Sequence, residues 1–181
     1  MTEKKNVFVI IGSAGKNSAN QKLVDSFANL SKGAFKLTIY NDLKTLPHFD
    51  PELSTDNPPQ RIVEFRNSVD KADGVIICTP EYVFSIPSGL KNALEWCVST
   101  TVFSDKPVGL ITASLDGQKG HQELQLIMKT IMSRLTDETT LLIKGIKGKI
   151  NERGEITDSE TLDDLTRFVI AYEAFIKNAS R

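Results

Sequence analysis

The chain has 181 residues, a formal net charge of -1, 40% hydrophobic and 25% charged residues. That length suits one domain spanning residues 1–181 with its own core, and the near-neutral balance argues against nucleic acid as the main partner, since such binders usually present a basic face. No apolar run approaches the roughly 20 residues that span a bilayer, and the N-terminal Met-Thr-Glu-Lys-Lys-Asn leads into a strand without a signal-peptide core, so a cytoplasmic location is expected.

In chain order, the first strand is expected over 6–11, built on Val7–Ile11. It ends in Gly12-Ser-Ala-Gly-Lys-Asn-Ser-Ala-Asn20. Leu23, Phe27 and Leu30 then recur at the helical period. In the intervening loop Gly12 permits the turn and Gly15 lets backbone approach a ligand. Ser13, Ser18 and Asn20 supply neutral donors and Lys16 supplies charge. The free N–H groups of the following helix make this an anion site. The loop is neither a Walker motif nor Gly-x-Gly-x-x-Gly. Taken alone, Ser18-Ala-Asn-Gln21 also fits a capping box that only satisfies its own helix end.

A second strand is expected over 35–40. Residues 41–60 form a long connection in which Pro47, Pro51, Pro58 and Pro59 forbid a continuous helix. Connections this long are usually functional or disordered. Ile62, Phe65 and Val69 mark the next helix, and Val75–Cys78 a buried strand over 74–79.

The loop after that strand, Thr79-Pro-Glu-Tyr-Val-Phe-Ser-Ile-Pro87, offers backbone N–H groups to a heterocycle edge, and Tyr82 or Phe84 can cover a flat ring. The alternative is a proline-rich turn whose aromatics complete the core or a subunit contact. Leu90, Leu94 and Cys97 mark a helix, and Trp96 reads as core or interface. Strands over 107–113 and 139–144 follow, separated by a helix carrying Leu124, Ile127, Met128, Ile131 and Leu135. Residues 145–158, punctuated by Gly145, Gly148 and Gly154, read as a hairpin or extended arm, and a last helix carries Leu162, Leu165, Phe168, Val169, Tyr172 and Phe175.

Five strand–helix alternations imply a parallel sheet covered on both faces. The flavodoxin-like order 2-1-3-4-5 fits, and its switch point lies between the first and third strands, which carry the two loops above. Cys78 and Cys97 read as two small buried hydrophobes, with a disulfide or redox thiol as the alternative. Nothing has zinc-site spacing. Lys144, Lys147, Lys149 and Arg153 form a basic run, read as solvated surface in preference to an NADP phosphate site. His48 and His121 read as surface or loop imidazoles, with a place at the edge of an active site as the alternative for His48.

The pattern Gly12-Ser13-x-x-x-x-Ser18-x-Asn20, with Thr79-Pro80-Glu81-Tyr82-x-x-Ser85-Ile86-Pro87-x-x-Leu90-Lys91-Asn92-Ala93-x-x-Trp96, resembles the NAD(P)H-dependent FMN reductase family of quinone, chromate and azo-compound reductases. The similarity extends to Leu46-Pro47-x-Phe49-x-Pro51-x-Leu53 and Gly154–Asp158. The resemblance implies a flavodoxin-like α/β fold and bound FMN, with NADPH or NADH as co-substrate. It implies a small electron acceptor such as a quinone, ping-pong exchange and a homodimer or homotetramer. Ser13, Ser18 and Asn20, with Lys16, would hold the FMN phosphate. Pro80, Glu81, Tyr82 and Val83 would border the isoalloxazine and ribityl region. The loop from Ser114 through Gly117 to Gly120 would bring its backbone to the flavin ring. Three positions depart from the family: Gly15 stands where Arg is usual, Val83 where Asn is frequent, and His121 after Gly120 where a second Gly is common. No side chain is singled out as an acid or base, because the cofactor carries the chemistry. A one-electron carrier and a non-catalytic binder with the same fold are the alternatives.

Overall fold

The computed structural model describes residues 3–15 and 17–179. Five parallel strands, β1 (Lys5–Ile11), β2 (Phe35–Tyr40), β3 (Gly74–Thr79), β4 (Val108–Ser114) and β5 (Thr140–Lys144), form one sheet in the order β2-β1-β3-β4-β5. The register runs Val7 opposite Leu37 on one side and opposite Gly74 on the other. The three inner strands are buried almost throughout, whereas the edge strands β2 and β5 are mostly half-buried or exposed.

Among the described residues the helices are α1 (Ala19–Leu30), the single turn α2 (Pro51–Ser54), α3 (Gln60–Lys71), α4 (Ser88–Glu95), α5 (Gln118–Thr130) and α6 (Ser159–Ala179). Because β1 lies inside the sheet, right-handed crossovers send α1 and α6 to one face and α3, α4 and α5 to the other. The side chains divide accordingly. Phe27, Leu165, Phe168 and Tyr172 pack with Val9, Ile76 and Ile111 on one face. Ile62, Phe65, Leu90, Leu94, Leu124 and Met128 pack with Phe8, Ile10, Ile77 and Leu110 on the other. The expected fold class is observed.

Local departures from the sequence reading have simple causes. β4 and β5 each start one residue late. Leu30 and Leu162 keep the helical period but are 40% exposed, since both lie at helix ends. Helix α4 stops at Glu95, so Trp96 and Cys97 fall in the turn beyond it, still fully inside the core. The 41–60 connection holds a 3₁₀ turn (Leu43–Thr45) and α2, with Pro51 in the first turn of α2 and Pro59 just ahead of α3. Residues 145–158 include a hairpin: Ile150 bridges Ile156 antiparallel, and the Asn151 N–H donates to the Glu155 carbonyl at 3.0 Å. Both cysteines are free and buried. Burial pushes the Cys97 thiol up to about 12 and the Cys78 thiol higher still, so both stay protonated and unreactive. No helix among the described residues is long and apolar enough to cross a membrane.

Candidate functional site

The β1 and β3 tips meet at the switch point so closely that glycine is required. A Cβ on Gly12 would stand 2.7 Å from the Thr79 Cβ. Gly15, by contrast, meets nothing within 4 Å. Ser18 caps α1, its Oγ accepting from the Gln21 N–H at 3.1 Å. The reciprocal arm of a capping box is not made: the Gln21 side-chain oxygen accepts instead from the Asn41 amide, and its NH2 donates to Asp25 at 3.0 Å. With the Gln21 N–H capped by Ser18, the Ala19 and Asn20 N–H groups are the first-turn donors that have no carbonyl partner within the helix. Asn20 is 3% exposed. Its amide donates to the Ala113 carbonyl at 3.1 Å, and its oxygen lies 3.4 Å from the Cys78 Sγ. That side chain ties α1 to β3 and β4 and also lines the cavity.

The β3–α4 loop is held from two sides. Glu81 turns away from the sheet edge and caps α5: its carboxylate accepts from the Gly120 N–H at 2.8 Å and the Gly117 N–H at 3.3 Å. Glu123 of α5 reaches back, accepting from the Ser85 hydroxyl at 2.6 Å and the Ile86 N–H at 3.3 Å. Between them Tyr82 and Ser85 exchange two backbone hydrogen bonds of 2.9 and 3.0 Å. Val83 and Phe84 complete this turn with φ of 52° and 58°, the hairpin turn of left-handed residues that suits Asn and Gly. A β-branched residue there is strained.

Two adjoining cavities open on either side of Tyr82. The first, about 710 Å³, lies among the start of α1, the ends of β3 and β4 and the segment after β5. It brings together Ser13, Ser18, Asn20, Pro80, Glu81, Tyr82 and Ser114. Two expected residues lie elsewhere. Val83 sits at the turn tip, 95% exposed, and does not line this cavity. Gly117 also stays out: its N–H is committed to Glu81, and a Cβ there would meet Leu142 at 3.0 Å. The approach expected of the 117–120 backbone toward a ring is made instead toward the β3–α4 loop, where a Cβ on Gly120 would meet the Ser85 carbonyl oxygen at 3.2 Å. Lys16 lies outside the described residues.

The cavity also takes residues that sequence reasoning missed: Asn17, Lys22, Leu115 and Lys147. Lys22 lies four residues after Ser18, one helical turn on, a spacing that could have flagged it. Its ammonium donates to the Asn151 and Glu152 carbonyls, each at 3.2 Å, and so joins α1 to the arm. The basic run separates: Lys144 pairs with Asp116 at 2.6 Å, Lys149 with Asp158 at 3.6 Å, and Lys147 enters the cavity wall.

The second cavity, about 550 Å³, lies toward β2 and α4 and shares Ser13 and Tyr82 with the first. Between them the Ser13 and Tyr82 hydroxyls are 3.4 Å apart. His48 is exposed and lines this second space. His121 is buried, its Nδ1 2.8 Å from the Thr112 hydroxyl; burial lowers its pKa and favours the neutral ring, and it lines neither cavity. Among the described residues no group of three or more His, Cys, Asp or Glu could hold a metal ion.

The first cavity has hydroxyl and helix N–H donors at one end and backbone with an aromatic wall at the other. It offers no uncommitted carboxylate, since Glu81 is capping a helix. This arrangement suits binding and alignment of an anionic, ring-bearing cofactor rather than acid–base catalysis by side chains.

Comparison with known proteins agrees. Residues 6–140 match the family model for NADPH-dependent FMN reductase. A quinone reductase of Escherichia coli (strain K12) is 27% identical over 184 residues, covering 98% of this chain and 98% of the relative. Subunit CrdA of an NADH:(hydroxy)cinnamate reductase from Vibrio ruber is 31% identical over 167 residues, covering 88% of this chain and 81% of the relative. Among solved structures, FerB from Paracoccus denitrificans, a flavoenzyme NAD(P)H:(acceptor) oxidoreductase, superposes with a TM-score of 0.78 at 24% identity, covering 96% of this chain and 98% of that one. The chain belongs to the NADPH-dependent FMN reductase family and is an FMN-dependent oxidoreductase. Its first cavity fits that cofactor: the donor set at the α1 end matches a phosphate, and the Pro80–Tyr82 and Ser114–Leu115 walls leave room for a flat ring.

Proposed function

We propose that this chain oxidises NAD(P)H and reduces a small quinone-like acceptor, with FMN seated in the first cavity. The net reaction balances as NAD(P)H, a proton and a quinone giving NAD(P)⁺ and a hydroquinone. Bound FMN supplies the centre that accepts and returns the hydride. The chain's own residues bind and align. Ser13, Asn17 and Ser18, with the free N–H groups of α1, would hold the phosphate, and Lys22 and Lys147 would add the positive charge that a family arginine supplies at position 15. Pro80, Glu81 and Tyr82 would border the ring and ribityl chain through their backbone and the Tyr82 ring. Ser114 and Leu115 would close the other side.

The observation carrying this reading is the convergence of the α1 donor end, the clasped β3–α4 loop and the β4 tip on one cavity of about 710 Å³. In this proposal donor and acceptor take turns at one ring face, a ping-pong order that steady-state kinetics tests. The relatives named as quinone reductases support the class of acceptor.

The test is direct. Purified protein is titrated with FMN, then supplied with NADPH or NADH and a soluble quinone. Visible flavin absorbance with turnover, and parallel double-reciprocal plots, are expected. FMN bound without NAD(P)H oxidation would instead mark an electron carrier, and no FMN binding at saturation a non-catalytic protein. Ser13→Ala is the sharper probe of the phosphate end, because Ser18→Ala also removes a helix cap worth about 1 kcal/mol. Ser13→Ala is expected to weaken FMN binding about tenfold, roughly 1.4 kcal/mol, with an unchanged circular dichroism spectrum.

A further inference from the structure

We propose that the second cavity binds the adenosine-phosphate half of the nicotinamide dinucleotide, an inference that rests on the first cavity being the FMN site. A dinucleotide whose nicotinamide reaches the flavin in the first cavity must place its other half nearby. The second space shares the Ser13 and Tyr82 walls with the first, so one extended molecule can occupy both. Its volume of about 550 Å³ falls within the range of small-molecule sites.

Its chemistry suits an anionic purine nucleotide. The base of the cavity is apolar, with Leu43 and Leu46 buried and the Phe49 ring beside them. The rim carries Lys44, His48 and Lys91, and among the described lining residues Glu95 is the one acid. Flat apolar ring below and phosphate at a basic rim is the division such a ligand requires.

The wall is preformed. Asn92 accepts from the Phe49 N–H at 2.7 Å and donates to the Pro47 carbonyl at 2.9 Å. The Trp96 indole N–H donates to the same carbonyl at 2.8 Å. Phe49 meets the Trp96 ring edge-on, with centroids 5.3 Å apart at 84°. A strap fastened at three polar points and one ring contact needs no ordering when a ligand arrives, which lowers the entropic cost of binding. This gives a role to the long β2–α3 connection that the sheet itself does not demand.

The experiment uses FMN-loaded protein, with loading read first from flavin absorbance. Adenosine 2′,5′-bisphosphate and AMP are then titrated separately by calorimetry. The expected result is one site per chain with FMN retained, and an affinity that falls about tenfold or more in a Lys44→Glu/Lys91→Glu variant whose FMN affinity is unchanged, tenfold being about 1.4 kcal/mol. In turnover the same variant raises KM for the dinucleotide with kcat held. Preference for the bisphosphate over AMP would identify the phosphorylated dinucleotide as donor; equal binding would identify either form. Displacement of FMN by the fragment, affinity indifferent to the two lysines, a second FMN in this space, or no binding at millimolar concentration overturns the inference while leaving the FMN site intact. Failure of FMN to load sinks both.

Discussion

Individual residues show how far sequence chemistry can be trusted before contacts are known. Val83 stands in a left-handed turn, where a β-branched side chain is strained and Asn is tolerated. Val83→Asn is therefore expected to stabilise the protein by about 1 kcal/mol, the low end of what such backbone strain costs, measured as a higher urea midpoint with unchanged slope. No gain would mean that the neighbouring hydrogen bonds, not the residue, set the turn's energy. His121 makes a second case. Burial holds its folded pKa below the ordinary 6.5. The unfolded chain therefore binds the extra proton first as pH falls, and stability present above about pH 6.5 is lost progressively below it. His121→Gln should flatten the melting temperature between about pH 6.5 and 5; an equal slope in both proteins would show that other groups carry the acid sensitivity.

Elements explain what the sequence could not show. The inner strands were legible because burial on both faces writes an unbroken apolar run, and the helices because their faces repeat every three to four residues. The clasp between the β3–α4 loop and α5 was not legible. Glu81 reads locally as a polar loop residue beside an aromatic, but its partners, Gly117 and Gly120, lie 36 and 39 residues on. Glu123 likewise reads as a solvated helix position, yet it fastens Ser85, 38 residues before it. Asn20 was legible as polar and near the loop, but its partners on β3 and β4 belong to the fold. In the 41–60 connection the sequence showed prolines and no period, while the structure shows Arg66 buried at its back, donating to the Ser54 carbonyl at 2.9 Å and to the Trp96 carbonyl. The two carboxylates of the clasp restrain one loop and should be coupled. Glu81→Gln and Glu123→Gln should each cost about 1–2 kcal/mol, since each loses charge-assisted bonds to N–H or O–H donors. The double variant should cost less than the sum, because the second loss acts on a loop already released. Strict additivity would show two independent caps. Hydrogen exchange at the Ser85 and Gly120 amides gives the local readout, with both accelerating when Glu81 is changed.

At the scale of the whole molecule the site is a property of topology. The order β2-β1-β3-β4-β5 parts the crossovers at β1 and β3, and the crevice left there collects chain from β1, β3, β4 and β5 into a single cavity wall. No one segment contains the site, so it exists only when the sheet is assembled. Binding is therefore linked to global unfolding. If FMN binds the native chain alone, FMN at 100 times its dissociation constant adds about 2.7 kcal/mol to the unfolding free energy. For a domain of this size that raises the melting temperature by about 5–11 °C. The rise should grow logarithmically with FMN and shrink in Ser13→Ala at the same concentration. It should be absent with riboflavin at equal concentration if the phosphate end supplies most of the affinity, because riboflavin keeps the ring and lacks the anion. An equal rise with riboflavin would move the main source of affinity from the α1 donors to the clasped loop and its aromatic wall.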